Sequence, residues 1–350
     1  MGPASPFVRA ARLEPVERTP VWFMRQAGRV LPEYRAVRER RSLVEITRQP
    51  ELCAEVTLQP LRRFPLDAAV MFADIMTPLI AIGVEVEIVE NVGPVIRHPI
   101  HDESGLAALR PIEPEADVPY VLETIRLLIT ELHPERALLG FAGAPFTLAS
   151  YLVEGRPSRD FTRTKTLMYA HPALWHALME RLTTITSRYA QAQAMAGVDA
   201  IQLFDSWVGT LAPDDYAQFV QPYTRRVFAA LESSGAARIH FGTNTAGLLH
   251  LMRNDGATVI GVDWRMPIDA AWKRVGHHLA IQGNLDPATL LAPVPVVHAK
   301  ASDVLRRAGS RPGHIFNLGH GLMPDTPLDT IARLVDFVHE RSTAIRADAA

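Results

Sequence analysis

Two arginines, Arg25 and Arg29, stand four residues apart and enclose Gln26, Ala27 and Gly28. A guanidinium is permanently charged. Its planar fork of donors grips a carboxylate through two parallel hydrogen bonds. An arbitrary Arg-x-x-x-Arg is usually solvated surface. This one directly follows an apolar run, Pro20 to Met24, and that position favours a working anion-binding loop.

The residues just after the other apolar runs supply further candidates: Asp74, Tyr151, Asp205, Ser206, Thr243, Asn244, Asp263, Asn284 and His320. Each has a plainer alternative. Asp74 reads equally as a reactive carboxylate or as a cap for the segment beginning at Ile75. Tyr151 lies in an apolar stretch and reads first as core. Ser206 lacks the Gly-x-Ser-x-Gly elbow of a serine nucleophile. His320 stands between Gly319 and Gly321, which let backbone and ring approach a ligand closely.

Metal and phosphate chemistry find little support. His98 and His101 precede Asp102 and Glu103 but adjoin what reads as a surface hairpin. His277 and His278 are sequence neighbours and face different ways. No His-Glu-x-x-His, Walker A or Gly-x-Gly-x-x-Gly turn occurs. The single cysteine, Cys53, lies in a helix-like segment and reads as a small buried hydrophobe. No metal site and no cofactor are expected.

The candidates need a scaffold. Eight short, almost uncharged runs recur: Pro20 to Met24, Ala68 to Phe72, Ala137 to Gly143, Asp199 to Asp205, Arg238 to Gly242, Thr258 to Asp263, Leu279 to Gly283 and His314 to Gly319. Apolar runs without alternation suit strands covered on both faces, the parallel-sheet pattern. Helical spacing separates them, as in Ala177 to Gly197, where Gly197 reads as the stop. Eight strand–helix units predict a closed (β/α)8 barrel of the α/β class, a single domain over residues 16–345. Residues 1–15 read as a loose arm. Val84 to Pro99 alternates apolar and charged residues around Asn91 to Pro94 and predicts an inserted antiparallel hairpin.

The chain has 350 residues, 36 basic against 38 acidic, a formal net charge of −2. No bulk positive field recruits nucleic acid or a membrane surface, so an anionic ligand must be held by a few placed cations. The longest uncharged stretch, Ala137 to Val153, is shorter than a membrane span and is broken by glycine and proline. No apolar core of signal-peptide length opens the chain. One cysteine and no leader predict a cytoplasmic protein.

Four motifs carry a resemblance. Phe23 to Arg35 (FMRQAGRVLPEYR), Gly140 to Gly155 (GFAGAPFTLASYLVEG), Leu203 to Gly209 (LFDSWVG) and Phe316 to Pro327 (FNLGHGLMPDTP) are similar, in order, to signatures of the uroporphyrinogen decarboxylase family. The similarity runs from about Thr19 to near the C-terminus. It implies a (β/α)8 barrel that works as a homodimer, without a cofactor. The implied reaction removes carboxyl groups from the four acetate arms of uroporphyrinogen III, giving coproporphyrinogen III in haem biosynthesis. By the same resemblance Arg25 and Arg29 bind substrate carboxylates, and Gln26, Ala27 and Gly28 form the loop between them. Asp74 stands at the centre of the cleft, and Tyr151, Ser206 and His320 complete the contacts. Arg25 and Asp74 are the catalytic candidates. Val30 departs from the family pattern, which has an aromatic residue there.

The chemistry agrees. An octa-acid substrate needs local arginines on a nearly neutral protein. One ionised carboxylate can accept hydrogen bonds from several pyrrole N–H groups. Direct loss of CO₂ would leave an unstabilised carbanion, whereas a protonated pyrrole is an electron sink, and a negative Asp74 would stabilise its positive charge. The proton comes from the arginine loop or from water held there. A competing reading is a zinc-dependent cobamide methyltransferase of the same barrel superfamily. These carry His-x-Cys after the fifth strand, where this chain has His240-Phe241-Gly242. A non-catalytic tetrapyrrole-binding protein is the second alternative.

Overall fold

The computed structural model describes residues 4–89 and 92–349. In chain order, β1 (Ala68–Val70) is followed by a hairpin, β2 (Val86–Val89) and β3 (Gly93–Ile96). Then come β4 (Ala137–Gly143), β5 (Ala200–Asp205), β6 (Ala237–Gly242), β7 (Val259–Gly261), β8 (Ala280–Leu285) and β9 (His314–Leu318). β1 and β4 to β9 form one curled parallel sheet in sequence order, with helices between them. The α/β barrel read from the sequence is therefore the fold. β2 and β3 pair antiparallel, with Val86 opposite Ile96, as the inserted hairpin. Asn91, at its expected tip, lies outside the described residues.

The first apolar run departs from expectation. Pro20 to Met24 fills the place between β9 and β1, but only Val21 makes a bridge, to Phe316. Pro20 has no N–H to give, and the Val21 N–H goes to the Asp67 carboxylate at 2.7 Å. Phe316 N donates to Pro20 O at 2.9 Å, and Asp67 N donates to Val21 O at 2.9 Å. The eighth stave is thus held to both neighbours, partly through a side chain.

The barrel interior explains a second departure. Segment 4–15 is not a loose arm. Pro6–Ala11 is a helix, opened by Ser5, whose Oγ accepts from Val8 N. Phe7, Val8, Ala10 and Ala11 are buried against Trp22, Ala68, Ala137, Ala200, Val259 and Ala280. Small residues at the strand starts leave a hollow, and the short helix plugs it. The sequence hid this because Pro, Ala and Arg are as common in arms as in caps. Burying one Phe side chain stabilises by roughly 1.5–3 kcal/mol. Above the plug a polar rung crosses the barrel: Trp22 Nε1 donates to Gln282 Oε1 at 3.0 Å, and Gln282 Nε2 to Gln202 Oε1 at 2.9 Å.

The outer faces of the strands pack on the helices. Ile201, Leu203, Ile260 and Ile281 join one large cluster, and Val21, Phe23, Phe316 and Leu318 another. The predicted helix at Ala177 to Gly197 runs Pro172–Ala196. Gly197 takes φ +110°, a left-handed stop that suits glycine. Cys53 is buried in the helix Pro50–Arg63, its Sγ donating to Phe72 O at 3.0 Å. Burial pushes its thiol up to about 12, so it stays protonated and packs as a small apolar residue.

Candidate active site

The candidates gather where the strands end, at one mouth of the barrel. Arg25 ends the first stave with φ +61°, a left-handed conformation unusual for a non-glycine residue. The turn lays the Arg25 side chain along the loop after β9. A Cβ at Gly321 would stand 2.5 Å from Arg25 Cδ, and one at Gly319 would stand 2.4 Å from Trp264 N. Gly319 is required because backbone occupies the space its side chain would take, whereas a side chain at Gly321 would displace that of Arg25. His320 is held between them, edge-on to Phe241 at 6.3 Å.

The five-residue loop divides in two. Arg25 and Arg29 are exposed, and Gly28 is half-buried. Gln26 is buried, with its Oε1 accepting from Phe23 N at 3.0 Å and its Nε2 donating to Ala68 O at 2.9 Å. Ala27 packs against the apolar cluster behind the loop, and Val30 is buried in that cluster. The Gln26 and Ala27 side chains therefore brace the loop that carries the arginines. Val30, the departure from the family pattern, contacts the core and not the cleft.

Asp74 is the cap that one of its two readings expected. Its Oδ1 accepts from Met76 N at 2.8 Å, a cap for the turn that leads into the helix Thr77–Ala81. Oδ2 has no hydrogen-bond partner among the described residues. Burial raises its pKa above 3.8, opposed by the Met76 N–H and by the Arg25 charge. Arg25 reaches solvent, but its charged end is crowded by protein, and this first and then Arg29 shift it down from 12.5, while Tyr151 and Asp74 oppose the shift. Tyr151 is buried in the helix Pro145–Glu154, its ring at 5.9 Å from Trp207. Burial and Asp74 push its hydroxyl up to about 12, so it remains a donor. Burial and then Arg25 push His320 down to about 4, so its ring is neutral at working pH. Arg25 thus lies within electrostatic reach of Asp74, Tyr151 and His320.

Ser206, half-buried, comes directly after β5, and its carbonyl accepts from Thr243 Oγ1 at 2.6 Å. Trp207, absent from the candidates nominated by sequence, forms a wall with Tyr151 and Phe161, the latter at 5.2 Å between ring centroids. Its position two residues past a strand end is the signal that could have found it. The remaining candidates brace the rim. Asn244 N donates to Asp263 Oδ2 at 2.6 Å, and Asn284 Nδ2 donates to the carbonyls of Asp263 and Met266 at 2.8 and 2.7 Å.

Behind this wall lies a fully buried charge network. Asp205 Oδ1 accepts from Thr147 Oγ1 at 2.9 Å. His240 lies between two carboxylates, with Nε2 3.4 Å from Asp205 and Nδ1 3.3 Å from Asp255. Tyr216 and Gln221 also donate to Asp255. Burial pushes His240 down, but the two aspartates outweigh it and raise it to about 9. This histidine occupies the place where the methyltransferase reading needs a zinc ligand, and it is enclosed by acids instead. His98, His101, His277 and His278 are exposed, and no group of metal-ligating side chains occurs among the described residues.

A parallel barrel with arginines, a half-buried carboxylate and neutral donors at its C-terminal mouth defines a barrel enzyme acting on a poly-anionic substrate. The chain belongs to the uroporphyrinogen decarboxylase family, whose profile matches residues 3–341. A uroporphyrinogen decarboxylase of Frankia casuarinae is 54% identical over 335 residues, 96% of this chain and 90% of that protein. One from Thermus thermophilus is 54% identical over 333 residues, 95% of this chain and 97% of its own length. Among solved structures, a methyltransferase from Methanosarcina mazei superposes with a TM-score of 0.75 at 21% identity, covering 96% of this chain and 97% of that one. A B12-independent methionine synthase from Shewanella sp. W3-18-1 gives 0.58 at 11% identity, with 88% and 90% covered. Both share the fold.

Proposed function

We propose that this chain decarboxylates the four acetate arms of uroporphyrinogen III stepwise, giving coproporphyrinogen III, with no cofactor. The observation that carries the reading is the half-buried Asp74 carboxylate, which among the described residues accepts only one backbone N–H and lies within reach of the Arg25 charge. The four pyrrole N–H donors supply the partners that its second oxygen lacks. Arg25 and Arg29 hold substrate carboxylates, and the protonated Tyr151 hydroxyl, Ser206 and the neutral His320 ring complete the wall.

For each arm a proton first adds to the pyrrole α-carbon next to the ring carbon that bears it. The ring becomes cationic, and the electrons of the breaking C–C bond flow into it as CO₂ leaves. A proton then adds to the exocyclic methylene and the ring proton departs. The net change consumes one proton and turns –CH₂–COO⁻ into –CH₃. Asp74 stabilises the ring cation from a water-poor site, where a fixed charge acts most strongly. The lowered Arg25 makes the arginine loop, or water held by it, a better proton donor than a solvated arginine would be.

We infer a homodimer in the cytoplasm from the family resemblance. Among the described residues no helix is long and apolar enough to cross a membrane. The test is anaerobic incubation of the purified protein, without additions, with uroporphyrinogen III. After oxidation, chromatography should show the eight-carboxylate porphyrin replaced by seven-, six-, five- and then four-carboxylate species. An unchanged substrate profile would overturn the reading. A requirement for zinc or a cobamide would favour the methyltransferase alternative.

A further inference from the structure

Arg25 and Arg29 both stand on the loop after the first stave, so they grip the substrate from one side. The segments after β5 to β9, residues 206–212, 243–248, 262–267, 284–293 and 319–327, make the part of the mouth that ends at the β9 loop packed on Arg25. Across all of these there is a single Lys or Arg, Arg265. It stands a few residues past β7, and its side chain is 46% exposed.

Arg265 is held ready. Its guanidinium lies over the Trp264 ring at 4.2 Å. Its Nη1 donates to Asp263 Oδ2 at 2.5 Å, and its backbone N donates to Asp263 Oδ1 at 3.2 Å. Asp263 is buried and also accepts from Asn244 N. Among the described residues this uses one of the five guanidinium N–H donors, which leaves the others for a ligand. The aromatic face and the carboxylate fix the plane of the fork, which lowers the entropy lost when it binds.

Its location is set by the same glycine that shapes the His320 loop. A Cβ on Gly319 would meet Trp264 N at 2.4 Å and Asp263 C at 3.0 Å. The Asp263–Arg265 segment therefore lies against the chain that carries His320. On the other side of His320, Gly321 lies against the Arg25 side chain. The positive charges of Arg25 and Arg265 both reach the His320 ring and lower its pKa. The two arginines thus flank one imidazole from different loops.

We propose that Arg265 is a third carboxylate-binding arginine, which receives side-chain carboxylates of the macrocycle across His320 from Arg25. The proposal rests on the reading that this site takes a tetrapyrrole poly-acid. It adds a specificity element: Arg265 favours the substrate with the most carboxylates. A charged hydrogen bond of this kind corresponds to roughly a tenfold or greater change in affinity.

The experiment compares the parent chain with Arg265→Ala, Arg265→Lys and a distant control, Arg333→Ala, which removes an exposed arginine paired with Asp329 on the last helix. Two readouts are taken at a temperature where circular dichroism shows every variant folded. One is kcat and KM for uroporphyrinogen III. The other is fluorescence-detected binding of oxidised uroporphyrin, with eight carboxylates, and coproporphyrin, with four.

Arg265→Ala should raise KM about tenfold with kcat within about twofold of the parent. It should weaken uroporphyrin binding more than coproporphyrin binding. Arg265→Lys should fall between, because it keeps the charge and loses the fork, and Arg333→Ala should match the parent. A folded Arg265→Ala with parental KM and parental uroporphyrin affinity would overturn the proposal, because Arg265 would then serve only to brace Asp263. A fall in kcat at unchanged KM would overturn it too. If Arg265→Ala melts too low to assay, a parental KM in the charge-retaining Arg265→Lys decides against the fork. If the parent neither binds uroporphyrin nor turns over, the decarboxylase reading itself has failed, and that result is distinct from a parent that works with an indifferent Arg265.

Discussion

Two aspartates flank β1, and their environments are opposites. Asp67, just before the strand, is 2% exposed and its oxygens are taken up internally. Arg18 Nη2 donates at 2.9 Å, Val21 N at 2.7 Å and His339 Nε2–H at 2.7 Å. Burial pushes its carboxyl up, but these donors outweigh burial and hold it below the usual 3.8. Asp74, after the strand, has one backbone donor and a pKa raised by burial. At one end of the strand charge is matched within the fold, tying the first stave, β1 and the last helix together. At the other end one carboxylate oxygen has no hydrogen-bond partner among the described residues, and in the proposed reaction the substrate supplies it. A reactive carboxylate needs the second arrangement, because a group already fully satisfied gains nothing when the transition state arrives.

Exchanging carboxylate for amide at each end tests this contrast, and the larger effect belongs to Asp74. Asp74→Asn keeps the shape, loses the charge and presents donors to pyrrole N–H groups. Turnover should fall by about 10²–10³-fold or more, with little change in melting temperature. Near-parental kcat would remove Asp74 from the chemistry.

Asp67→Asn should do the reverse. Breaking a buried ion pair costs about 3–5 kcal/mol, and the low end applies because Arg18 is 43% exposed. Urea unfolding should show that loss, while kcat and KM of the folded fraction stay at parental values. A kinetic defect larger than the folding defect would mean that the two ends are coupled.

The arginine loop gives a smaller, graded effect. Arg29→Ala should raise KM roughly tenfold, and Arg29→Lys by less, because lysine keeps the charge and loses the planar fork. Equal KM for the two variants would show that charge alone matters at this position.

The smallest effect is a separation in pH. The Asp67 contribution to stability is present above the unfolded value of 3.8 and is lost as pH falls through its depressed native value. Asp74 is shifted the other way, so the acid limb of kcat/KM should lie above 3.8 and should vanish in Asp74→Asn. Stability and activity should therefore fail at different acidities. Coincident titrations would mean that global unfolding sets the activity limit.

Much of the scaffold was legible because burial on both faces leaves a mark on every strand. Seven of the eight apolar runs become strands of the parallel sheet, and the alternating segment becomes the hairpin. The first run fails as a strand through one long-range event, the capture of the Val21 N–H by Asp67, which no local pattern announces. The plug formed by Pro6–Ala11 was hidden for the same reason. Its apolar face is short, and only the hollow left by Ala68, Ala137, Ala200 and Ala280 gives that face a partner.

At the site, residue types and positions after strand ends were enough to nominate Arg25, Arg29, Asp74, Tyr151, Ser206 and His320. They could not separate residues that face a ligand from residues that hold others in place. Gln26, Asn244, Asp263 and Asn284 have suitable chemistry and stand after strands, yet their polar groups are taken up by backbone and side-chain partners. The sequence by itself determines which chemistry is present, because charge, fork geometry and hydrogen-bonding capacity are properties of each side chain. The tertiary structure decides which of those groups stays unsatisfied, because burial and partner donors arrive from residues as far along the chain as His339 is from Asp67.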